Sequence, residues 1–393
     1  DLPSPSGRGA GGEGGTKPIG YRPLPELNVA CSGLSISAKK EEWLALAGDN
    51  TNLRIALEEL YKQFKDAPVL GSLINPEASL GKGSLFELKW EDVGPLLTKA
   101  LAGERDYDQA EMRVVAQGIA RAASLLASKF DLIITNPPYL KSGNQNEKLK
   151  EFSERYYDSA KRELATVFIL RCLAITARHG ISCMVVPQNW LFLKTYTTLR
   201  NSLLSNTSFN ALAKLGSGAF ETITGEVVQA ILIILGDNPN FEKNDQERIF
   251  ASIDSSKYSS PESKAQWLVQ GDIFRHKQRV QLCNPDYIIS TTDTDFSKLL
   301  GDTAQTAAGI SSFDRPRYFH FFWEKLGFKD GWVPSQSTVV EPTYFGGCEY
   351  AFLWEDGNGQ LKKYMDDKKR LEGYTSAIWR AGTQFWGHKG VLV

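Results

Sequence analysis

Phe130-Asp131-Leu132-Ile133-Ile134-Thr135-Asn136-Pro137-Pro138-Tyr139 is the stretch on which the fold turns. Its apolar and β-branched run ends at a proline pair, the pattern of a buried parallel strand broken at its C-terminal end. Pro137 and Pro138 donate no ladder hydrogen bond, and their rings fix φ. The loop they make is stiff. It stands where open α/β sheets place ligands, outside the carboxyl ends of the strands. Its residue types suit one kind of chemistry. Asn136 offers a side-chain carbonyl, the loop offers backbone carbonyls, and Tyr139 offers a flat ring. An exocyclic amine needs two acceptors to hold its hydrogens and aim its lone pair, and a planar base needs a stacking partner.

Outward from this loop the pattern alternates between helix and strand. Leu164 to Ala177 predicts an apolar helix, Gly180 a turn, and Ile181 to Val186 a second buried strand ending at Pro187-Gln188-Asn189-Trp190. Helix, turn and strand in that order predict a doubly wound sheet. Trp190 to Leu204 predicts a helix; Leu212 to Leu215 and Val227 to Leu235 predict strands, with a turn at Gly216-Ser217-Gly218. The polar stretch Lys141 to Asn146 predicts a flexible loop, either solvated or a lid. Upstream, Leu27 to Ala30 predicts a short strand, and Lys39 to Ala47 and Asn52 to Phe64 predict helices, the second capped by Asn50 or Thr51. Val93 to Leu101 predicts another helix. Glu111 to Ser128 predicts an amphipathic one with Val114, Val115, Ile119, Ala122, Leu125 and Leu126 on its buried stripe.

The two ends differ from this middle. Residues 1–20 are rich in Gly, Ser and Pro, which predicts a disordered tail. Gly7, Gly9 and Gly12 satisfy Gly-x-Gly-x-x-Gly but follow no strand and open no helix, so they predict no nucleotide loop. Composition shifts near Gly236-Asp237-Asn238-Pro239, where aromatics begin to interleave with Arg and Lys: Tyr318, Phe319, Phe321, Phe322 and Trp323, then Tyr344 to Trp354, then Trp379 to Trp386. Basic residues among aromatics hold phosphates and stack on bases; a β-rich core with a solvated rim reads the same way.

The 393 residues, 42% of them hydrophobic, suffice for a large core and predict two domains. A net charge of -1 neither supports nor vetoes a nucleic-acid partner. Five cysteines without a Cys-x-x-Cys pair, and four scattered histidines, predict a reduced, cytoplasmic protein with no metal site. No run of 18 apolar residues predicts a membrane span, and no secretory signal opens the chain.

Asn136-Pro137-Pro138-Tyr139 after an apolar strand resembles the catalytic motif of amino-methyltransferases that use S-adenosylmethionine. Leu44 to Asp49, Gly71 to Pro76, Pro187 to Leu193, and Gly218 to Phe220 with Gly225 to Val228 extend the likeness. Together they resemble the large adenine-specific methyltransferases of BREX phage-exclusion systems, the PglX type, which are gamma-like N6-adenine enzymes. The likeness covers most of Pro23 to Leu235 and continues at Phe322 to Glu324, Gly347 to Tyr350 and Phe385 to Gly387. It implies S-adenosylmethionine as methyl donor, an adenine of double-stranded DNA as acceptor, and a role in phage defence and restriction-modification beside other defence-system proteins. It implies that the adenine is flipped out of the duplex, at about a few kcal/mol. Asn136 and the Pro137 carbonyl would hold N6, Pro138 would stiffen the loop, and Tyr139 would stack on the base. Phe130 and Asp131 would be supports, Asp131 on the cofactor side.

Three departures qualify the likeness. The family's Asp-Pro-x-x-Gly-x-Gly strand end, which wraps the cofactor, has no match here. The acidic residue for the ribose hydroxyls is also absent. Glu163-Leu164-Ala165 stands where the family places an aromatic near the cofactor adenine. The expected architecture is therefore α/β: a partial doubly wound, Rossmann-like class I methyltransferase sheet over residues 21–236, then a mixed β-rich module over 237–393, the start of a DNA target-recognition domain. The expected function is direct methyl transfer to adenine N6, without a covalent nucleophile or a metal. The alternatives are an amino-methyltransferase acting on protein glutamine or RNA, and a catalytically incomplete DNA-binding fragment.

Overall fold

The computed structural model describes residues 27–31, 36, 39–76, 110–219, 229–236, 248–292, 299–306, 309–310, 312, 314–337, 339, 346–372, 382 and 385. The chain divides into two compact units, Asp1–Thr294 and Asp295–Val393.

In the first unit, helices α1 (Lys40–Ala45), α2 (Thr51–Phe64), α3 (Ala67–Leu70) and α4 (Ala110–Ala127) precede the sheet. Asn50 caps α2 as its sequence suggests, its side chain accepting from the Leu53 N–H at 3.0 Å. Trp43, Leu57, Phe64 and Ile119 gather α1, α2 and α4 into one apolar cluster. Trp43 donates its indole N–H to the Leu57 carbonyl at 2.7 Å, so this buried ring carries no orphan donor. The α4 stripe differs from expectation at Val114, which is 66% exposed; Ile119 and Ala122 are buried as expected, and Ala116, Ala120 and Ala123 are buried with them. Leu27 to Ala30 forms no strand, and Leu27 and Val29 are exposed. The helix expected at Val93 to Leu101 and the glycines at 7, 9 and 12 lie outside the described residues.

Strand β1 (Phe130–Thr135) opens the sheet; α5 (Glu147–Tyr156), α6 (Leu164–Ile175), β2 (Thr176–Pro187), α7 (Thr197–Asn206), β3 (Ser208–Gly216), β4 (Ala230–Gly236), β5 (Ile249–Asp254), α8 (Pro261–Gln270), β6 (Phe274–Lys277) and α9 (Gln278–Leu282) follow. The spatial order is β1-β2-β4-β3-β5-β6. β1 runs parallel to β2 and β3 parallel to β5; β4 is antiparallel to both β2 and β3, and β6 to β5. The composition shift at residues 236–239 therefore falls inside one sheet, because β5 and β6 continue it to Lys277.

The two faces of this sheet are unequal. Met184, Val186, Ile231, Ile233 and Leu235 are fully buried in one core with Ile169 of α6 and Leu199 and Leu203 of α7. On the opposite face Ile181, Cys183, Val185, Leu232 and Ile234 are half-buried. β1 departs from its expected burial. Among the described residues it is the sheet's edge, and Leu132 and Ile134 are 54% and 75% exposed. Only Ile133 turns its side chain into the core.

The turn expected at Gly180 is a bulge inside β2. Phe130 pairs with Thr176 but Leu132 pairs with Ile181, so four residues loop out between them. His179 takes φ 66° there. A Cβ on Gly180 would meet the Phe130 carbonyl oxygen at 2.9 Å, so only glycine lets β1 approach. The helix expected from Trp190 begins only at Thr197; Gln188–Leu191 and Lys194–Tyr196 are single 3-10 turns. Arg200 supplies the reason. Its guanidinium takes the carbonyls of Trp190 and Leu193, both at 2.7 Å, which a continuous helix would have used itself.

The second unit holds α10 (Arg315–Tyr318), β7 (Phe319–Phe321), β8 (Trp332–Ser335), β9 (Tyr350–Leu353) and α11 (Gln360–Glu372). Its antiparallel sheet has the order β7-β9-β8. Tyr318, Phe352, Leu361 and Met365 form its core.

Candidate active site

The proline pair ends β1 as its chemistry requires, and the corner that follows sits beside the carboxyl end of the parallel strand β2, where Thr135 faces Met184. Asn136 is exposed, Pro137 buried, Pro138 exposed and Tyr139 half-buried. A buried ring at Pro137 and a packed one at Tyr139 hold the exposed carboxamide between fixed points.

The stretch after the corner is built in, not loose. The Ser142 N–H donates to the Arg162 carbonyl at 2.9 Å, and the Leu164 N–H donates to the Leu140 carbonyl at 3.0 Å. Lys141 and Glu163 form an antiparallel bridge between these bonds. Gln145, itself buried, donates from Nε2 to the Leu140 carbonyl at 3.0 Å. Lys141 to Asn146 thus clamps the corner to the start of α6; the sequence predicted a flexible loop because it counts polar residues, not their carbonyl partners.

Tyr139 packs against the main core, and its hydroxyl is sealed from solvent. Burial, with a smaller contribution from the Glu163 carboxylate, pushes its phenol up to about 12. Glu163 is a buried residue that sequence reasoning noted only as a departure from a family pattern. Its charge also adds to the burial that raises the Tyr196 phenol. The signal was present: an acidic residue directly before the apolar helix Leu164–Ile175 has no solvated face to occupy.

Two buried arginines support the corner, and neither was singled out from sequence. Arg171 on α6 donates to the carbonyls of Ser72 at 3.0 Å, Ile74 at 2.7 Å and Leu126 at 2.8 Å. Arg200 on α7 donates to Trp190, Leu193 and Asp286 carbonyls, and burial holds its guanidinium below the usual range. Arg200 therefore fixes the segment after β2 that flanks the corner. The Gln188 N–H donates to the Gln229 carbonyl at 2.9 Å, which ties that segment to the start of β4.

Asp131 is exposed near the opposite end of β1. Four strand residues lie between it and Asn136, five steps of about 3.3 Å or about 16 Å. Asn136, Pro137, Pro138 and Tyr139 come together by chain adjacency; Asp131 does not join them, and Phe130 is half-buried beside the Gly180 bulge. Among the described residues, no group of three or more His, Cys, Asp or Glu side chains is arranged to hold a metal ion. No described helix is long and apolar enough to cross a membrane.

A cavity of about 250 Å³ opens behind Pro138, lined by Pro68, Leu70, Leu73, Leu149, Leu164 and Phe168 among others. No lining residue is acidic. Ligand pockets span roughly 300–1,000 Å³ and converge several polar groups on their occupant. S-adenosylmethionine carries a ribose diol, an amino acid and a sulfonium. This lining, which offers no carboxylate for the ribose diol, does not fit it.

The chain was compared with known proteins over its whole length. Residues 49–220 match the family described as Eco57I restriction-modification methylase. The chain is 33% identical over 161 residues to the adenine-specific methyltransferase BrxX of Escherichia coli O9:H4 (strain HS), a match covering 40% of this chain and 13% of that protein. It is 28% identical over 253 residues to the adenine-specific methyltransferase PglX of Lacticaseibacillus casei (strain Zhang), covering 62% of this chain and 19% of that protein. The matches thus span less than a fifth of either relative's length. Among solved structures, the Type IIL restriction-modification enzyme MmeI in complex with DNA aligns with TM-score 0.40 and 13% identity, over 75% of this chain and 48% of that one.

Proposed function

We propose, from the premise that residues 49–220 carry a domain of the Eco57I restriction-modification methylase family, that this chain is the adenine-accepting part of a DNA methyltransferase. The single observation that carries the reading is the corner itself. An exposed carboxamide is held at the carboxyl end of a parallel strand by a buried proline and a packed tyrosine. The parent reaction moves a methyl group from S-adenosylmethionine to N6 of an extruded adenine of double-stranded DNA. Asn136 Oδ1 and the Pro137 carbonyl accept the two N6 hydrogens, which turns the nitrogen lone pair outward. The Tyr139 ring bounds the base, and Pro138 keeps the loop from relaxing between turnovers. An adenine amine is a poor nucleophile, so this positioning and hydrogen bonding carry much of the rate. The role in phage defence, and any partner proteins, belong to the same proposal.

Transfer of labelled methyl onto duplex DNA, RNA and protein by the enzyme that contains this chain tests it. Label on adenine N6 supports it; label on protein with unlabelled DNA overturns it in favour of a glutamine methyltransferase. The cavity behind Pro138, which no acidic residue lines, favours a second reading, in which this chain binds DNA but transfers nothing unaided. Calorimetry with S-adenosylmethionine separates the two. The expected result is little or no binding, and micromolar affinity would show that a donor site exists in this chain after all.

A further inference from the structure

The second unit carries a stack of rings that its core does not use. Phe321, at the end of β7, stacks on Trp323 with centroids 4.4 Å apart and planes 8° from parallel. It also stacks on Tyr350 of β9 at 5.1 Å and 20°. The Arg315 guanidinium lies 4.6 Å over the Tyr350 ring. The support under this stack is rigid. Phe321 and Tyr350 are cross-strand partners, the Phe322 N–H donates to the Glu349 carbonyl at 2.9 Å, and the Phe321 N–H donates to the Glu324 carboxylate at 2.9 Å. Yet Phe321, Phe322 and Trp323 are 39%, 47% and 58% exposed. Three consecutive aromatics held open in this way cost the fold apolar surface left in water.

We propose that this stack is a binding site for an unpaired nucleobase of DNA, Trp323 supplying the platform and the exposed Arg315 and Arg317 holding the adjoining phosphates. The proposal rests on the reading of this chain as DNA-directed. Every base has a π-face, so stacking on a fixed aromatic is tolerant of sequence. Arg315 and Arg317 are both exposed while lying over rings, Arg317 at 5.3 Å from the Tyr318 centroid, so their donors face solvent where a phosphate would stand. The nearby Glu324 carboxylate accepts from the Phe321 N–H and lies 3.4 Å from His320 Nδ1, so it is turned to the backbone of the stack while the guanidiniums of Arg315 and Arg317 lie over rings. A greasy peptide partner fits less well: Phe321 and Trp323 are parallel, Phe322 meets Trp323 edge-on at 81°, and the patch ends in cations. A paired duplex offers its base faces to its own neighbours, so the site selects a base that has left the stack.

Fluorescence anisotropy of the full chain with two labelled hairpin-ended duplexes tests this, one fully paired and one carrying a single bulged adenine. No methyl donor is added. The bulged duplex is expected to bind more tightly, and Trp323→Ala is expected to erase about a tenfold advantage. Trp323→Phe should keep most of it, and Arg315→Gln should flatten the salt dependence by about one unit of slope. Unchanged thermal melting of each variant shows that the fold survives. Equal binding of both duplexes, with Trp323→Ala silent, overturns this site while leaving the DNA reading standing. No binding of either duplex overturns both. Self-association abolished by Trp323→Ala, without an effect on DNA, gives the surface to a second copy and overturns the proposal.

Discussion

Asn136 and Tyr139 do different jobs, and single substitutions separate them. Asn136→Ala removes a positioned acceptor from an exposed side chain. Methyl transfer by the enzyme that contains this corner is expected to fall about 10²–10³-fold with unchanged thermal stability, read by label incorporation and calorimetric melting. Tyr139 has its hydroxyl sealed and its phenol raised to about 12 by burial first and by Glu163 second. A raised phenol keeps its share of stability below its unfolded value of about 10 and loses it as pH climbs toward about 12. Spectrophotometric titration of the phenolates is expected to lose a late-titrating step in Tyr139→Phe, and that variant should unfold less readily than the native chain above pH 10. The corner's residue identities were legible in sequence because proline, asparagine and tyrosine announce their chemistry locally. Arg171 and Arg200 were not, because their buried charges are defined by carbonyls far along the chain, such as Ser72 for Arg171 and Asp286 for Arg200.

Among the elements, α6 and β1 show where periodicity succeeds and where it stops. α6 was read nearly to its ends, since an apolar run between a polar start and a strand has few other solutions. Its Arg171 ties it to two other segments through three carbonyls. Replacing that residue by methionine keeps its length, leaves those acceptors unmade, and is expected to cost about 3 kcal/mol in denaturant unfolding. β1 was also read correctly as a strand parallel to its neighbour, but an apolar run does not say whether a strand is central or at an edge. Leu132 and Ile134 line an exposed edge, the arrangement that templates pairing between chains. Light scattering at rising concentration is expected to show less association in Leu132→Lys and Ile134→Lys, at little cost in melting temperature. Association that is insensitive to both substitutions would place the sticky surface elsewhere.

At the scale of the molecule, thiol chemistry reports how the cores are closed. Cys31, Cys283 and Cys348 are exposed, Cys183 is half-buried, and Cys172 is buried with its thiol pushed up to about 11. Titration with an aromatic disulfide reagent should give three fast equivalents, then Cys183, and Cys172 only with unfolding. A fast reaction at Cys172 would mean that the main core opens readily. The strand order of the first unit has a consequence for how the protein is made. β2 leaves the ribosome early, but its neighbour on the inner side is β4, not the intervening β3, and β4 ends at Gly236. Roughly a hundred residues separate Tyr139 from that point, so at about 5–20 residues per second the nascent corner waits on the order of 5–20 s for its sheet. During that interval β1 has β2 alone as its partner and the apolar run of β2 lacks β4, which makes this chain a natural client for whatever shields hydrophobic segments during synthesis.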